Sequence, residues 1–112
     1  MIQINNNQLF YNGKAYQFQY NILEAAVVGT KLLIVFHPNN ADCSYNNIYC
    51  YTLQNKFLWR IGEPSKEIAG SGRFPYVGIS IDGNKYGAID FYGRRFFFDI
   101  NTGHIFDKDI VR

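Results

Sequence analysis

Residues Tyr49–Trp59 read YCYTLQNKFLW, and residues Phe96–Phe106 read FFFDINTGHIF. The two stretches align without a gap, which places Trp59 on Phe106. Each consists of an aromatic strand, a polar turn and a short strand that ends in a large ring. Each also follows another apolar strand, KLLIVFH or KYGAIDFY. The pattern predicts a duplicated all-β unit in which Trp59 and Phe106 are buried at equivalent positions.

The other apolar segments alternate with a period of two, which is typical of half-buried strands. AYQFQY, residues 15–20, places its three rings on one face. Asn12 and Gly13 lie between two such segments and predict a tight hairpin turn. Residues 22–36 could be drawn as a helix, but Gly29 interrupts them and their β-branched content favours two strands. The expected strands cover residues 2–4, 8–12, 14–20, 22–28, 31–37, 47–53, 57–61, 76–81, 85–92, 94–100 and 104–106.

DINTGHIF, residues 99–106, resembles the sequence that closes a blade in β-propellers of the pyrroloquinoline-quinone type, where D-x-x-T-G precedes an aromatic residue. TLQNKFLW, residues 52–59, follows the same outline without the aspartate and the glycine. The resemblance covers residues 22–61 and 75–107. It implies an all-β fold of about ten antiparallel strands, with two blade-like sheets packed as a compact sandwich or a half-propeller. Assembly of several chains into one ring is the alternative, and the sandwich is favoured.

The length of 112 residues predicts a single domain. We expect an N-terminal hairpin at residues 1–21, blade-like units at 22–61 and 76–107, and an irregular loop at 62–75. Aromatic residues make up 18% of the chain and hydrophobic residues 47%, which excludes a disordered protein. No apolar run approaches the roughly 18 residues of a membrane span, so we expect a cytoplasmic protein.

No catalytic, cofactor or metal signature is recognisable in the sequence. His37, Cys43 and Cys50 do not have the C-x2–4-C spacing of structural zinc sites. The cysteines leave open both a disulfide and two reduced thiols. His37 and His104 lack a recognisable partner that would orient them for acid–base chemistry. The sequence therefore predicts a protein that is not an enzyme and that binds neither a cofactor nor a metal.

Candidate partner-binding residues fall into three groups. The nine tyrosines exceed what a core of this size must bury, and tyrosine is common in protein interfaces. YGRRFFF, residues 92–98, interleaves cations with rings, as single-stranded RNA binders do. Acidic residues gather near the C-terminus. The candidates are Tyr45, Tyr49, Tyr51, Arg94, Arg95, Asp99, Asp107 and Asp109.

These features favour a binding protein that docks onto another macromolecule. Its size and missing chemistry resemble those of bacterial immunity proteins, small inhibitors that cover the active site of a toxin domain. The net charge of +2 is unusual for an inhibitor of nucleases, which are basic targets. An oligomeric carbohydrate-binding lectin built from blade-like units and a single-stranded RNA-binding sheet are the alternatives.

Overall fold

The structure is a computed structural model that describes residues 1–38, 45–70 and 72–110. These residues form eleven strands and one short helix. Their bounds are β1 Gln3–Asn5, β2 Gln8–Tyr11, β3 Lys14–Gln17, β4 Ile22–Val28, β5 Lys31–Phe36, β6 Ile48–Thr52, β7 Phe57–Arg60, α1 Lys66–Ala69, β8 Tyr76–Asp82, β9 Lys85–Asp90, β10 Arg94–Phe98 and β11 Ile105–Ile110. The prediction of an all-β fold is confirmed.

The strands form three antiparallel sheets, each of which follows the chain from one edge to the other. Sheet A contains β1, β2 and β3, sheet B contains β4 to β7, and sheet C contains β8 to β11. The last strand of each sheet leads to the first strand of the next sheet. The N-terminal segment is therefore a third small sheet rather than a hairpin alone, and the architecture is consistent with blade-like sheets.

Strand β5 explains why sheet B lies in the middle of the molecule. Its five residues from Leu32 to Phe36 are all buried, so both faces of the strand are covered. Leu33 and Val35 face a core shared with sheet C, whereas Leu32 and Ile34 face a core shared with sheet A. The alternation of side chains along one strand thus places the same sheet between two hydrophobic cores.

The turns follow the residues that predicted them. Asn12 and Gly13 have φ values of 54° and 77°, the left-handed conformation that a two-residue hairpin turn requires. Residues 22–36 form two strands around Gly29, as expected, and not a helix.

Several expected strand ends were wrong: β3 ends at Gln17 rather than at residue 20, and β9 and β10 each end two residues earlier than expected. Strand β11 runs from Ile105 to Ile110, beyond the predicted end at residue 106, because it pairs along the whole length of β10. The predicted loop at 62–75 contains the helical turn α1. Ser65 caps this turn, since its side chain accepts a hydrogen bond from the backbone N–H of Ile68 at 3.3 Å.

The prediction that Phe106 is buried was also wrong. Its side chain is 60% exposed, whereas that of Trp59 is 7% exposed. The hairpins β6–β7 and β10–β11 each contain a register shift. Beside it, Tyr51 pairs with Phe57 in the first hairpin, and Phe98 pairs with Ile105 in the second. The first connection spans residues 52–56 and the second spans 99–104, so the second is one residue longer. A slip of one residue reverses the face of every following side chain.

Sheets B and C each use the same face to pack against the sheet that precedes them in the chain. Tyr49 and Tyr51 on β6 pack towards sheet A, and the matching residues Phe96 and Phe98 on β10 pack towards sheet B. Equivalent faces of sheets B and C therefore point towards the preceding sheet. In the part of the chain that the structure describes, no helix is long and apolar enough to span a lipid bilayer.

Candidate partner-binding surfaces

Arg94 and Arg95 are neighbours in sequence but have different environments. Arg94 points towards the interior, where its Nε donates to Asp90 Oδ2 at 2.8 Å. Its two other guanidinium nitrogens donate to the carbonyl oxygens of Ala69 and Gly72, at 2.6 and 3.2 Å. All three nitrogens are engaged, so this side chain fixes the loop before β8 rather than meeting a ligand.

Asp90 organises the turn between β9 and β10. It is 1% exposed, and its Oδ1 accepts hydrogen bonds from the backbone N–H groups of Tyr92 and Arg94, at 3.0 and 2.9 Å. The backbone N–H of Phe91 donates to Pro75 O at 3.1 Å. The residues at the tip of this turn are thus held by the buried carboxylate and by the neighbouring segment.

The turn presents Phe91 and Tyr92 to solvent. Together with Phe74, Arg73 and Tyr45 from two other segments, they form what we call the aromatic strip. The rings of Phe74 and Tyr92 lie 4.4 Å apart between centroids, and those of Phe91 and Tyr92 lie 5.5 Å apart. The Arg73 Cζ lies 5.7 Å from the centre of the Tyr45 ring. Phe91 and Tyr92 are 68% and 66% exposed. The contacts form two sets, one among Phe74, Phe91 and Tyr92 and one between Arg73 and Tyr45, and the two sets are adjacent because Arg73 precedes Phe74 in the sequence.

Arg73 is held in place beside this strip. One of its terminal nitrogens donates to Asn46 Oδ1, and the other lies 3.7 Å from Glu63 Oε1. Because these partners lie on the segment before β6 and on the loop after β7, the arginine joins separate parts of sheet B to the strip.

A second surface lies on the side of sheet C that faces away from sheet B, and we call it the charged face. Arg95 Nε and Nη2 donate to the two carboxylate oxygens of Asp109 at 2.9 and 2.7 Å. This hydrogen bonding and the positive charges of Arg95 and Lys85 lower the pKa of Asp109. Asp107 lies on the same surface, with the ring of Phe97 between the charged groups.

The predicted tyrosines are divided between two environments. Tyr45 belongs to the aromatic strip. Tyr49 and Tyr51 are half-buried against the core shared with sheet A, with ring centroids 6.4 Å apart. They lie beside Phe57, which is largely exposed. These two tyrosines therefore contribute to packing as well as to the surface of sheet B.

Asp99 lies apart from the other predicted acidic residues. Its carboxylate accepts a hydrogen bond from the backbone N–H of Asn101 at 2.8 Å, which is typical of an aspartate that fixes a turn. The structure brings Arg95, Asp107 and Asp109 together on the charged face and does not bring Asp99 to it.

Sequence reasoning missed Arg73, Phe74 and Phe91. Phe91 and Tyr92 follow a strand and precede Gly93, and two rings at a turn were the available signal. Neither residue was separated from the strand KYGAIDFY, because an apolar pair at the end of a strand has the same composition as its interior.

The described residues contain no group of three histidine, cysteine or acidic side chains that could hold a metal ion. Cys50 is buried, and this burial raises the pKa of its thiol to about 11. The thiol is therefore protonated at neutral pH. Cys43, which was weighed above with His37 and Cys50 as a zinc ligand, lies outside the described residues.

A comparison with protein families matches residues 1–110 to the family described as "Domain of unknown function (DUF7957)". The chain belongs to this family. The matched range includes every strand from β1 to β11, so the family model covers all three sheets. No curated protein matched the sequence in a separate search.

Proposed function

We propose that this DUF7957 protein is a non-enzymatic binding protein that docks onto another protein through the aromatic strip. The observation that carries the proposal is a pair of largely exposed rings, Phe91 and Tyr92, on a turn that is fixed by a buried carboxylate. Aromatic and arginine side chains are enriched at the centres of protein interfaces, where they supply much of the binding energy.

The rigidity of the turn supports binding more than exposure alone does. Phe91 and Tyr92 expose most of their surface, although a hydrophobic turn of this kind would be more stable if its rings were buried. Asp90 and Pro75 hold the backbone in one conformation before any partner arrives. Little conformational entropy is then lost on association, which is how preorganised surfaces gain affinity.

The specific form that we propose is a bacterial immunity protein whose strip enters or covers the active site of a toxin domain. Size and the absence of a recognisable catalytic motif support this form. The C-terminal acidic residues contribute less to it than the sequence suggested, because Asp109 is paired with Arg95 and Asp99 fixes a turn.

The two alternatives have weaker support in the geometry. RNA binding was based on Arg94 and Arg95, yet the first is fully engaged inside the protein and the second is paired with Asp109. The lectin alternative has no exposed tryptophan on which a sugar could stack. Trp59 is the only tryptophan in the chain and it is buried.

The test is to express the product of the adjacent gene with and without this protein, and to measure the affinity of the purified pair by calorimetry. We expect the neighbour to be toxic alone and harmless with this protein. Replacing Phe91 and Tyr92 together by serine should weaken binding at least about thirtyfold, the change that corresponds to the loss of one hot-spot residue of about 2 kcal/mol.

Phe106→Ser is the matched control, because Phe106 is a similarly exposed ring on another surface of the molecule. It should leave affinity and protection unchanged. The use of the aromatic strip would be contradicted if the double variant bound as tightly as the natural protein. The immunity role would be contradicted if the neighbour were harmless or did not bind.

A further inference from the structure

Sheet A has three strands, whereas sheets B and C have four strands each. Strand β3 and the residue that follows it lie over β6, on the face of sheet B that points towards sheet A. The Tyr16 hydroxyl donates to Leu53 O at 2.7 Å, and the rings of Phe18 and Tyr51 lie 4.9 Å apart between centroids. Because β7 is the next strand of sheet B, a fourth strand beside β3 would lie over β7.

The two faces of β7 differ in how well they are covered. Trp59, which belongs to the core shared with sheet C, is 7% exposed. Phe57, whose ring contacts Tyr51 on the face towards sheet A, is 53% exposed. The four-stranded sheet C thus covers the outer strand of sheet B, and the three-stranded sheet A leaves an apolar ring of that strand largely in solvent.

The free edge of β3 presents open backbone groups. The backbone N–H of Phe18 donates to Asn7 O at 2.9 Å, and hydrogen-bonded pairs alternate along an antiparallel strand. The N–H and C=O groups of Ala15 and Gln17 therefore point away from β2. Both residues are exposed, and these groups form no hydrogen bond within the part of the chain that the structure describes. They are available to pair with another strand.

The edges of sheet C are protected against such pairing. On β8, the backbone N–H of Ile79 already donates to the Glu24 carboxylate at 2.6 Å. Strand β11 carries successive charged side chains at residues 107–109, a common means of blocking a sheet edge. Strand β3 has neither protection. Its one charged side chain, Lys14, lies at the beginning of the strand and donates to Leu53 O at 3.0 Å.

The space beside β3 limits what can pair with it. Sheet A of a second copy would bring its own sheet B, which would occupy the space of β7. A single extended segment has two free faces, so it can pair with β3 and cover Phe57 at the same time. The addition of an extended segment to a sheet edge is a common mode of peptide recognition.

The side chains around the edge define the chemistry of this segment. Residues that face Phe57 are apolar, and the alternate residues point to the solvent side, where Ala15 and Gln17 are exposed, and are polar. Residues 1–21 contain one lysine and no acidic residue. Electrostatic complementarity therefore favours acidic over basic residues in the segment.

We infer that the edge of β3 binds an extended segment of a partner protein, with alternating apolar and polar residues, as the fourth strand of sheet A. The segment exchanges backbone hydrogen bonds with Ala15 and Gln17, and its apolar side chains cover Phe57. This site shares no residue with the aromatic strip and does not depend on the docking function proposed above.

The test is an NMR titration of the ¹⁵N-labelled protein with a blocked nine-residue peptide of alternating valine and threonine that carries a glutamate at each end. We expect shifts of the amide signals of Ala15 and Gln17. The hydrogens of these two amides should also exchange more slowly with deuterated water when the peptide is bound, because they become hydrogen-bonded.

Two methylated peptides test whether the backbone of the segment is recognised. N-methylation of all valines removes the N–H groups along one edge of the peptide, and N-methylation of all threonines removes those along the other edge. One methylated form should bind at least about tenfold more weakly than the parent peptide, since its lost hydrogen bonds are those to β3. The other form should bind as the parent does.

Ala15→Pro removes an outward N–H without loss of a bond to β2, and it should weaken peptide binding at least about tenfold. Ala15→Ser keeps the N–H and is the matched control, with unchanged binding. Phe57→Ser should also weaken binding, whereas Phe106→Ser, which removes a similarly exposed ring elsewhere, should not. Circular dichroism shows whether each variant is folded, and the methylated peptides decide the question even if a variant is not.

The inference is overturned if the peptide causes no shifts at Ala15 and Gln17, if the two methylated forms bind equally, or if folded Ala15→Pro binds as tightly as the natural protein. A dimer on a sizing column that is lost in Ala15→Pro would also overturn it, because a second copy would then occupy the edge. None of these outcomes bears on Phe91 and Tyr92, so the docking proposal is tested separately.

Discussion

Asn47 joins two sheets through a single buried amide. Its Nδ2 donates to Phe36 O and to Tyr76 O, at 2.8 and 2.7 Å, and its Oδ1 accepts from the backbone N–H of Tyr76 at 3.0 Å. The side chain is fully buried. It therefore replaces water for one backbone group at the end of β5 and for two at the start of β8, where the chain enters sheet C.

Asn47→Ala should lower the free energy of unfolding by roughly 3–5 kcal/mol, because three buried backbone groups lose their partner at about 1–3 kcal/mol each. Urea denaturation followed by circular dichroism measures this change. Asn101→Ala, at an exposed turn position, is the control and should change stability by less than about 0.5 kcal/mol. A small effect of Asn47→Ala would show that water or backbone movement replaces the amide.

The sequence does not identify single residues of this kind. Asn47 belongs to a set of asparagines that predicts turns, and nothing in its neighbours separates a buried amide from an exposed one. Arg94 and Arg95 likewise have the same composition and adjacent positions. Their different roles arise because the strand alternates its faces, and only the structure shows which face meets the buried Asp90.

The turn at residues 99–104 connects sheets B and C. The indole Nε1 of Trp59 donates to Ile100 O at 3.0 Å, and the backbone N–H of Gly62 donates to Gly103 O at 2.9 Å. A β-carbon at Gly103 would lie 2.5 Å from the Trp59 ring. The glycine of the NTG motif thus has two functions, a φ of +77° and close contact with a buried ring.

Gly103→Ala should lower the free energy of unfolding by about 2–5 kcal/mol, the sum of left-handed backbone strain and overpacking against Trp59. Gly13→Ala is a matched control, because Gly13 has the same φ of +77° and no atom within 4 Å of the added methyl group. It should cost only the backbone strain, about 1–2 kcal/mol. Equal losses in the two variants would contradict the proposed packing of Trp59 on the turn.

Sequence patterns were more informative for strands and turns than for their register. A strand was expected at each of the eleven observed positions, because alternation and turn residues are local properties, although the predicted ends of β3 and β11 were wrong. The burial of Phe106 was predicted wrongly. The gapless alignment of the two repeats does not show that the connection at residues 99–104 is one residue longer than the connection at 52–56. The aromatic strip was not predicted as a unit, because Phe74 meets Tyr92, and Arg73 meets Tyr45, only through packing of segments that are distant in sequence.

The position of sheet B between two cores makes the stability of the whole molecule interdependent. Leu9 and Tyr16 of sheet A pack on one face of β5, and Phe96 and Phe98 of sheet C belong to the core on its other face. The carboxylate of Glu24, on the edge of sheet B, also accepts the backbone N–H of Ile79 in sheet C at 2.6 Å. Loss of either outer sheet would expose a buried face of β5.

Leu9→Ala tests whether the three sheets unfold together. Removing this fully buried side chain should cost about 2–5 kcal/mol and lower Tm by roughly 10 °C or more. Trp59 is the only tryptophan and lies in the core between sheets B and C, away from Leu9. Its fluorescence should shift to the same lower midpoint as the circular dichroism signal, because a cooperative domain has one transition. An unchanged fluorescence midpoint would show that sheet A unfolds independently of the other two sheets.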